Sequence, residues 1–321
     1  MNTRLGIVGC GAVIDYFYRK QLPKLAHVRV AGVSDRDGVR AGKAAAYFGC
    51  PACSFDELLA RCDFLIIATP PQSHYSLAAA ALEKKVGVLV EKPFVLTRAE
   101  AENLIDCSNQ HRAPLYVSHF RRYFPSVKTA REVLQTGVLG EVRAIEMYEG
   151  GIFRWNTASG YVASDPHGGV LYDTGSHTVD VALYVSGLDR PGLACEVDSV
   201  QRDKEEPAHE IDAKFRLSTD NRTIQARLLL SRRNQLANRV RLHCENGWLE
   251  CGLQPSSPVR MGGGQGDRAC VIRPRDPTKS DGECFRRMCE AIFTGEAAAT
   301  LSGRLFLNQM NILESIYCHG H

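Results

Sequence analysis

The sequence predicts two domains of different class: a doubly wound α/β domain with a parallel sheet over residues 1–120, then an α+β domain with a mostly antiparallel sheet over residues 121–321. Three observations carry this. The first third alternates short, nearly continuous apolar runs with helical patterns, as strands buried on both faces and their covering helices do. After Phe120 the apolar residues instead alternate with polar ones at period two, the mark of strands with one wet face. A length of 321 residues also exceeds what a single core usually serves.

In the first domain the expected strands are Arg4–Val8, Val28–Ser34, Phe64–Ala68, Val86–Val90 and Leu115–Ser118. Helical patterns fill the gaps at Ala12–Lys24, Val39–Phe48, Ser73–Lys84 and Arg98–His111, and Thr97 with Glu100 forms a capping box for the last. In the second domain a helix is expected over Pro125–Thr136, then strands Glu141–Glu149, His209–Leu217, Thr223–Ser231 and Arg239–Glu245. Further helices are expected over Gly169–Val185, Glu283–Thr294 and Gly303–Tyr317. The sheet has one apolar face (Ile211, Ala213, Phe215 and Leu217; Ile224, Ala226, Leu228 and Leu230; Val240, Leu242 and Cys244) that helices must cover. Its charged face meets water or a polar subunit interface. The Pro/Ser/Gly-rich stretch from Gln254 to Gly266 shows no period and reads as a mobile loop.

Composition narrows the class of partner. A net charge of +3, from 39 basic and 36 acidic residues scattered along the chain, gives no nucleic-acid footprint. No apolar run reaches the ~18 residues of a membrane span. The chain enters an apolar strand by Leu5, leaving no room for a signal peptide, so a cytoplasmic location with reduced thiols is expected for the 12 cysteines. Cys50-Pro-Ala-Cys53 has metal or redox spacing, but a second such pair is missing, and it reads as a loop holding two thiols. No metal site is expected.

The first strand runs into Gly9-Cys-Gly-Ala-Val-Ile14, which opens the first helix. Glycines at Gly9 and Gly11 let the backbone, with Ala12 and Val13, approach a pyrophosphate seated at the helix N-terminus. Ile14 stands where a third small residue normally allows close helix–strand packing. The second strand ends in Asp35, about 20 residues further on, where a carboxylate can accept hydrogen bonds from an adenosine ribose. Strand, glycine turn, helix, strand and acid in that order describe a Rossmann dinucleotide site. Asp35 argues for NAD, since a carboxylate repels a 2′-phosphate. The neighbouring Arg36 leaves NADP open.

Two more motifs carry chemistry. Glu91-Lys92-Pro93 sits at the carboxyl end of a strand, where open α/β sheets place ligands, and a cis peptide before Pro93 is expected to aim Lys92 into the cleft. Downstream runs Gly168-Gly-Val-Leu-Tyr-Asp173-Thr-Gly-Ser-His177, with Asp173 and His177 at i and i+4 on one helix face. With these residues, Ala68-Thr-Pro-Pro-Gln-Ser-His74, Arg121-Arg-Tyr-Phe-Pro125 and the terminal Glu314-Ser-Ile-Tyr317, the chain resembles the Gfo/Idh/MocA oxidoreductase family nearly end to end. It departs at Ile14 and at His167, where members often carry a small residue.

The resemblance implies an NAD(P)-dependent oxidoreductase moving a hydride between nicotinamide and a carbinol or ketone carbon of a sugar, cyclitol or similar polyol. It implies that Lys92 and His177 flank that carbon and that Thr69, Pro70 and His74 run beside the cofactor, although His74 equally suits a helix cap. The chemistry agrees: lysine can hydrogen-bond the reacting oxygen, neutral histidine can take its proton near pH 7, and Asp173 can orient the pair. Arg122, Trp155 and Tyr161 are candidates for the substrate pocket, with core packing the simpler role for Trp155. A homo-oligomer is expected, with the second domain serving substrate binding and oligomerisation. Two other readings stand beside the dehydrogenase: an NAD-dependent glycosidase working by transient oxidation, and a non-catalytic dinucleotide-binding sensor.

Overall fold

The computed structural model describes residues 3–152, 165, 167, 169–263 and 269–319. The chain divides into two compact units; among the described residues the first holds 3–119 and 285–305, and the second the remainder. Residues 285–305, which follow the second sheet in sequence, thus return to the first unit. An amphipathic pattern tells that a helix covers a core, not which core.

The first unit has a five-stranded sheet of β1 (Thr3–Val8), β2 (Val28–Ser34), β3 (Phe64–Ile67), β4 (Gly87–Val90) and β5 (Leu115–Val117), in the order β2-β1-β3-β4-β5. Every neighbouring pair is parallel, and Leu5, Ile7, Leu65, Ile66, Ile67, Val88, Leu89 and Val90 are fully buried, as continuous apolar runs require. The connection turns one way from β1 to β2 and the other from β1 to β3, so β1 marks the switch point where such sheets bind ligands. Register then sets a row: Val8 pairs with Ser34 and with Ile67, Ile67 with Val90, and Val90 with Val117. The residues just beyond that row, Gly9, Asp35, Ala68 and Thr69, Glu91 and Lys92, are therefore delivered to one carboxyl edge.

The first helical stretch opens with a π turn, Ile14–Tyr18, continues as α1 (Arg19–Gln21) and closes in a 3₁₀ turn, Leu22–Lys24. Then come α2 (Gly38–Phe48), α3 (Phe55–Arg61), α4 (His74–Glu83) and α5 (Arg98–His111). The Thr97–Glu100 capping box is formed, and Ser54 with Glu57 makes a second one that starts α3, a helix the period analysis missed. The Cys50–Cys53 loop lies beside β2 through a parallel bridge from Val33 to Ala52, and burial raises both thiols above the ordinary cysteine value.

In the second unit α6 (Pro125–Gln135) precedes β6 (Val142–Gly150), and a π turn, Leu171–Gly175, leads into α7 (Ser176–Ser186). An eight-stranded sheet runs β13-β12-β11-β10-β6-β9-β8-β7, with β7 (Ala194–Arg202), β8 (Glu210–Thr219), β9 (Arg222–Ser231), β10 (Arg239–Cys244), β11 (Gly247–Gly252), β12 (Val259–Gly262) and β13 (Cys270–Ile272). Among the described residues of this sheet, only β6 and β9 pair in parallel. The chain ends with α8 (Asp281–Thr294), α9 (Ala298–Leu301) and α10 (Leu307–Cys318). The expected loop from Gln254 to Gly266 is corrected in part: β12 lies within it and pairs antiparallel with β11, from Trp248–Gly262 to Cys251–Val259. No helix among the described residues is long and apolar enough to cross a membrane.

One sheet face is apolar throughout, with Ile145, Met147, Ile211, Phe215, Leu228, Leu230, Val240, Leu242 and Leu249 all at or below 4% exposure. The other carries cross-strand ion pairs: Arg227 with Asp212, Arg239 with Glu250 and Glu146, Arg260 with Glu250. Beneath the helices lies a different device. Arg122 is buried, donating to Asp180 from Nε (3.0 and 3.1 Å) and Nη2 (2.6 Å) and to Asp189 from Nη1 (3.0 Å), while its guanidinium stacks between Tyr184 and Phe306. Removing one member of such a network leaves buried charge uncompensated. Arg122→Ala should therefore cost about 3–5 kcal/mol, read as a fall in the urea midpoint. A midpoint within error of wild type would show that water reaches and relaxes this cluster.

Candidate active site

In the first unit the candidate residues stand on the carboxyl edge of the parallel sheet. Gly9 has φ +85°, and a Cβ there would stand 2.6 Å from the carbonyl carbon and oxygen of Ala68, so both backbone conformation and the approach of β3 demand glycine. A Cβ on Gly11 would meet nothing within 4 Å, so the turn presents open space on that side, with Ala12 and Val13 partly exposed beside it. Ile14, the departure from a small third residue, is fully buried and opens the π turn. π turns interrupt helices mostly at functional positions.

Asp35 is placed as expected at the end of β2, but its carboxylate is not an open acceptor. It receives the Cys10 amide (2.7 Å) and Arg40 Nε (3.4 Å) on Oδ2, and the Asp37 amide (2.8 Å) and Arg40 Nη2 (3.1 Å) on Oδ1. Burial works against the charge, yet these bonds hold its carboxyl below the usual carboxylate range. Arg36 is exposed. The Cys10 thiol donates to the Ser34 carbonyl at 3.8 Å, and burial, with the Asp35 charge nearby, pushes it up to about 12.

His74, Glu91 and Lys92 separate into braces and a presented group. His74 is fully buried; Nε2 lies 2.8 Å from the Thr69 carbonyl oxygen, and Nδ1 lies 3.0 and 3.2 Å from those of Pro93 and Phe94. It ties the Thr69–Pro70 turn to the turn that carries Lys92, its ring nitrogens meeting loop carbonyls on both sides. Burial pushes it below the ordinary histidine value despite those carbonyls. Glu91 is likewise inside, accepting from the Tyr18 hydroxyl at 2.7 Å and the Lys92 amide at 3.3 Å. Lys92 itself is partly exposed, and the Lys92–Pro93 peptide is cis.

A separate group of candidate residues belongs to the second unit. Asp173 lies in the π turn before α7, and His177 in the first turn of α7, its ring edge-on to Phe120 at 5.9 Å. Both are partly exposed. Asp173 is held by Arg232, whose Nη2 donates to Oδ2 at 3.0 Å and to the Gly169 carbonyl at 3.3 Å, and whose side chain is 3% exposed. Nothing in the motif pointed to Arg232. The available signal was a charged residue directly after the apolar run of β9.

Arg122, expected to line a pocket, is corrected: it is the buried centre of the Asp180–Asp189 network and has no surface for a substrate. Its neighbour Arg121 is the partly exposed one, paired in parallel bonds with Glu149 (2.8 and 2.9 Å), which also accepts from the Thr178 hydroxyl. Arg121 is near enough to Asp281 and Asp173 to feel their charges. His167 stacks on Tyr317 at 4.8 Å and meets Tyr172 edge-on. Trp155 and Tyr161 lie outside the described residues. Among the described residues, no group of three or more His, Cys, Asp and Glu could hold a metal ion.

Residues 3–119 match the model of the oxidoreductase family with an NAD-binding Rossmann fold, and residues 127–250 that of the GFO/IDH/MocA C-terminal domain. The UDP-N-acetylglucosamine 3-dehydrogenase of Acidithiobacillus ferrooxidans is 33% identical over 133 residues, 41% of this chain and 42% of that protein. The dTDP-3,4-didehydro-2,6-dideoxy-alpha-D-glucose 3-reductase of Streptomyces antibioticus is 33% identical over 201 residues, 59% of this chain and 58% of that protein. The chain thus spans about half the length of the curated relatives it matches. The crystal structure of KijD10, a 3-ketoreductase from Actinomadura kijaniata in complex with NADP and TDP-benzene, superposes with a TM-score of 0.78 over 98% of this chain and 97% of that one. At 19% identity that likeness is one of fold.

Burial raises the Glu91 carboxyl above its ordinary value, against the pull of Tyr18 and Ser118. A carboxyl raised in the folded state contributes stability that is complete below its unfolded pKa, about 4.3, and lost as pH rises through the folded value. Glu91→Gln removes that titration and keeps an acceptor for Tyr18. The variant's melting temperature relative to wild type should therefore climb between roughly pH 4 and pH 7. A flat difference across that range would mean that Glu91 titrates normally.

Proposed function

Because the chain belongs to the GFO/IDH/MocA oxidoreductase family, we propose that it is an NAD(P)-dependent dehydrogenase or reductase acting on a CH–OH or keto carbon of a sugar, cyclitol or similar polyol. The observation that supports this best is the register row of the parallel sheet, which brings the glycine turn, Asp35, Thr69 and Lys92 to one edge at the switch point. A Gly9 that admits no Cβ, with open space at Gly11, suits a pyrophosphate approaching the backbone. The two named relatives act at position 3 of nucleotide-linked sugars, which makes a nucleotide sugar the first substrate to try.

The dinucleotide, when bound, supplies the nicotinamide that gives or takes the hydride. What the chain supplies is proton handling at the substrate oxygen. Lys92 hydrogen-bonds that oxygen and steadies negative charge on it, and His177 takes or returns the proton. Asp173, fixed by the Arg232 ion pair one helical turn before His177, orients that histidine. Arg121, held flat by Glu149, offers its remaining N–H groups to substrate hydroxyls. We place the contact between copies of a homo-oligomer on the ion-paired open face of the eight-stranded sheet; light scattering behind a sizing column reads the subunit number.

A panel of nucleotide sugars, free sugars and cyclitols, each with NAD and NADP and followed at the reduced-nicotinamide absorbance, tests the activity. On the best substrate, Lys92→Ala and His177→Ala should each lower kcat by roughly 10²–10⁴-fold with dinucleotide affinity and melting temperature close to wild type. Since both serve one proton transfer, the double variant should fall well short of the product of the two losses. Near-wild-type kcat in either single variant at saturating substrate would remove that residue from the chemistry.

A further inference from the structure

The dinucleotide reading leaves open which dinucleotide the chain takes, and the geometry around Asp35 bears on it. An ionised carboxylate offers about four lone-pair sites. At Asp35 all four are used within the chain, by two backbone amides and two nitrogens of Arg40, and the side chain is only 7% exposed. The acid that would accept from the ribose hydroxyls of NAD is therefore already satisfied. The same ion pair offsets the negative charge that would repel a 2′-phosphate. Asp37 is engaged as well: its Oδ1 caps α2 through the Val39 and Arg40 amides, and its Oδ2 faces Arg40 at 3.5 Å.

What remains at this end of β2 is donors. The Arg40 side chain is 33% exposed, and its guanidinium has five N–H groups, of which Asp35 and Asp37 take only some. Arg36 is exposed one residue past Asp35. Two guanidinium groups match a phosphate, which accepts paired N–H bonds, better than they match a pair of hydroxyls. Resting on the dinucleotide reading above, we propose that Arg40, assisted by Arg36, is the specificity-determining residue of this site, and that the chain prefers NADP(H) to NAD(H). In this arrangement Asp35 acts as a brace that aims Arg40 and ties the Cys10 amide of the glycine turn to the end of β2.

The crossed outcome is specific to this arrangement. Arg40→Met removes the phosphate partner and at the same time frees two acceptor sites on Asp35. It should weaken NADPH by about tenfold or more, the worth of one charge-assisted hydrogen bond, and should tighten NADH, reversing the wild-type order. Arg40→Lys keeps a cation beside Asp35 without the fork, and its NADPH-to-NADH affinity ratio should fall between the other two. The measurement is fluorescence titration of NADH and NADPH into the full chain, with 2′,5′-ADP and 5′-AMP as competitors that carry no nicotinamide. 2′,5′-ADP should follow NADPH across all three proteins. Equal weakening of both dinucleotides in Arg40→Met, no change in either, or a wild type that binds NADH more tightly, overturns the proposal. If Arg40→Met does not fold, Arg40→Lys decides it, since an undiminished ratio there rules out the fork. A wild type that binds neither dinucleotide ends the cofactor reading itself, and this proposal with it.

Discussion

The first unit depends on a carboxylate it has no simple reason to bury. Glu91 is 7% exposed at the end of β4, and an isolated ionised carboxylate there would be strongly disfavoured. It is tolerated because it is met from several directions, by the Tyr18 hydroxyl at 2.7 Å, the Lys92 amide and the Ser118 hydroxyl beyond β5. Tyr18 closes the π turn that begins at Ile14, one helical turn past the glycine turn. The single carboxylate therefore couples the helix behind the glycine turn to the strand end that carries Lys92. His74 does the corresponding work between β3 and the cis Lys92–Pro93 turn, through carbonyls on both sides of its ring. Both are interior groups whose effect is felt at a surface they do not reach.

The second unit solves the same problem with arginine. Arg122 and Arg232 are 0% and 5% exposed, and each holds a carboxylate belonging to the helical stretch that carries His177: Asp180 in α7, Asp173 in the π turn before it. Such pairs are weak contributors to net stability, since desolvation roughly cancels the Coulomb gain, but a misplaced α7 would leave both arginines unsatisfied. Their contribution is to the uniqueness of the arrangement. A planar fork with parallel donors also fixes the rotation of a carboxylate as well as its distance, which a lysine would not. That is the property a group orienting a proton transfer requires.

Much of this architecture could be read from the chain because burial on both faces leaves continuous apolar runs, and burial on one face leaves alternation. Leu65–Ile67 and Val88–Val90 in the parallel sheet, and Ile211 through Leu217 in the mixed one, are of this kind. What escaped has physical reasons. The helix α3 has only seven residues, too few for a period, although Ser54 and Glu57 announce its start. β12 has only four residues, and β7 and β13 are the two edge strands, where β7 alternates exposed with half-buried positions and β13 has three residues. Exposure on both sides erases the contrast on which the reading rests.

The site residues show a different limit. Sequence position placed Asp35, His74, Glu91 and Arg122 at the right strand ends and turns, yet each proved to be satisfied from within the chain. Arg121 and Arg122 make the point sharply. They are adjacent in a 3₁₀ turn, Phe120–Tyr123, so one turns toward Glu149 at a partly open surface and the other into the core, and nothing local to the pair says which. A motif records every residue whose loss disturbs the chemistry, and that set includes the groups that hold the reactive ones still. Only burial and hydrogen-bond saturation separate the two kinds. At Asp35 the distinction is one of chemistry: an acid with open lone pairs can accept from hydroxyls, and the same acid filled by Arg40 and two backbone amides cannot.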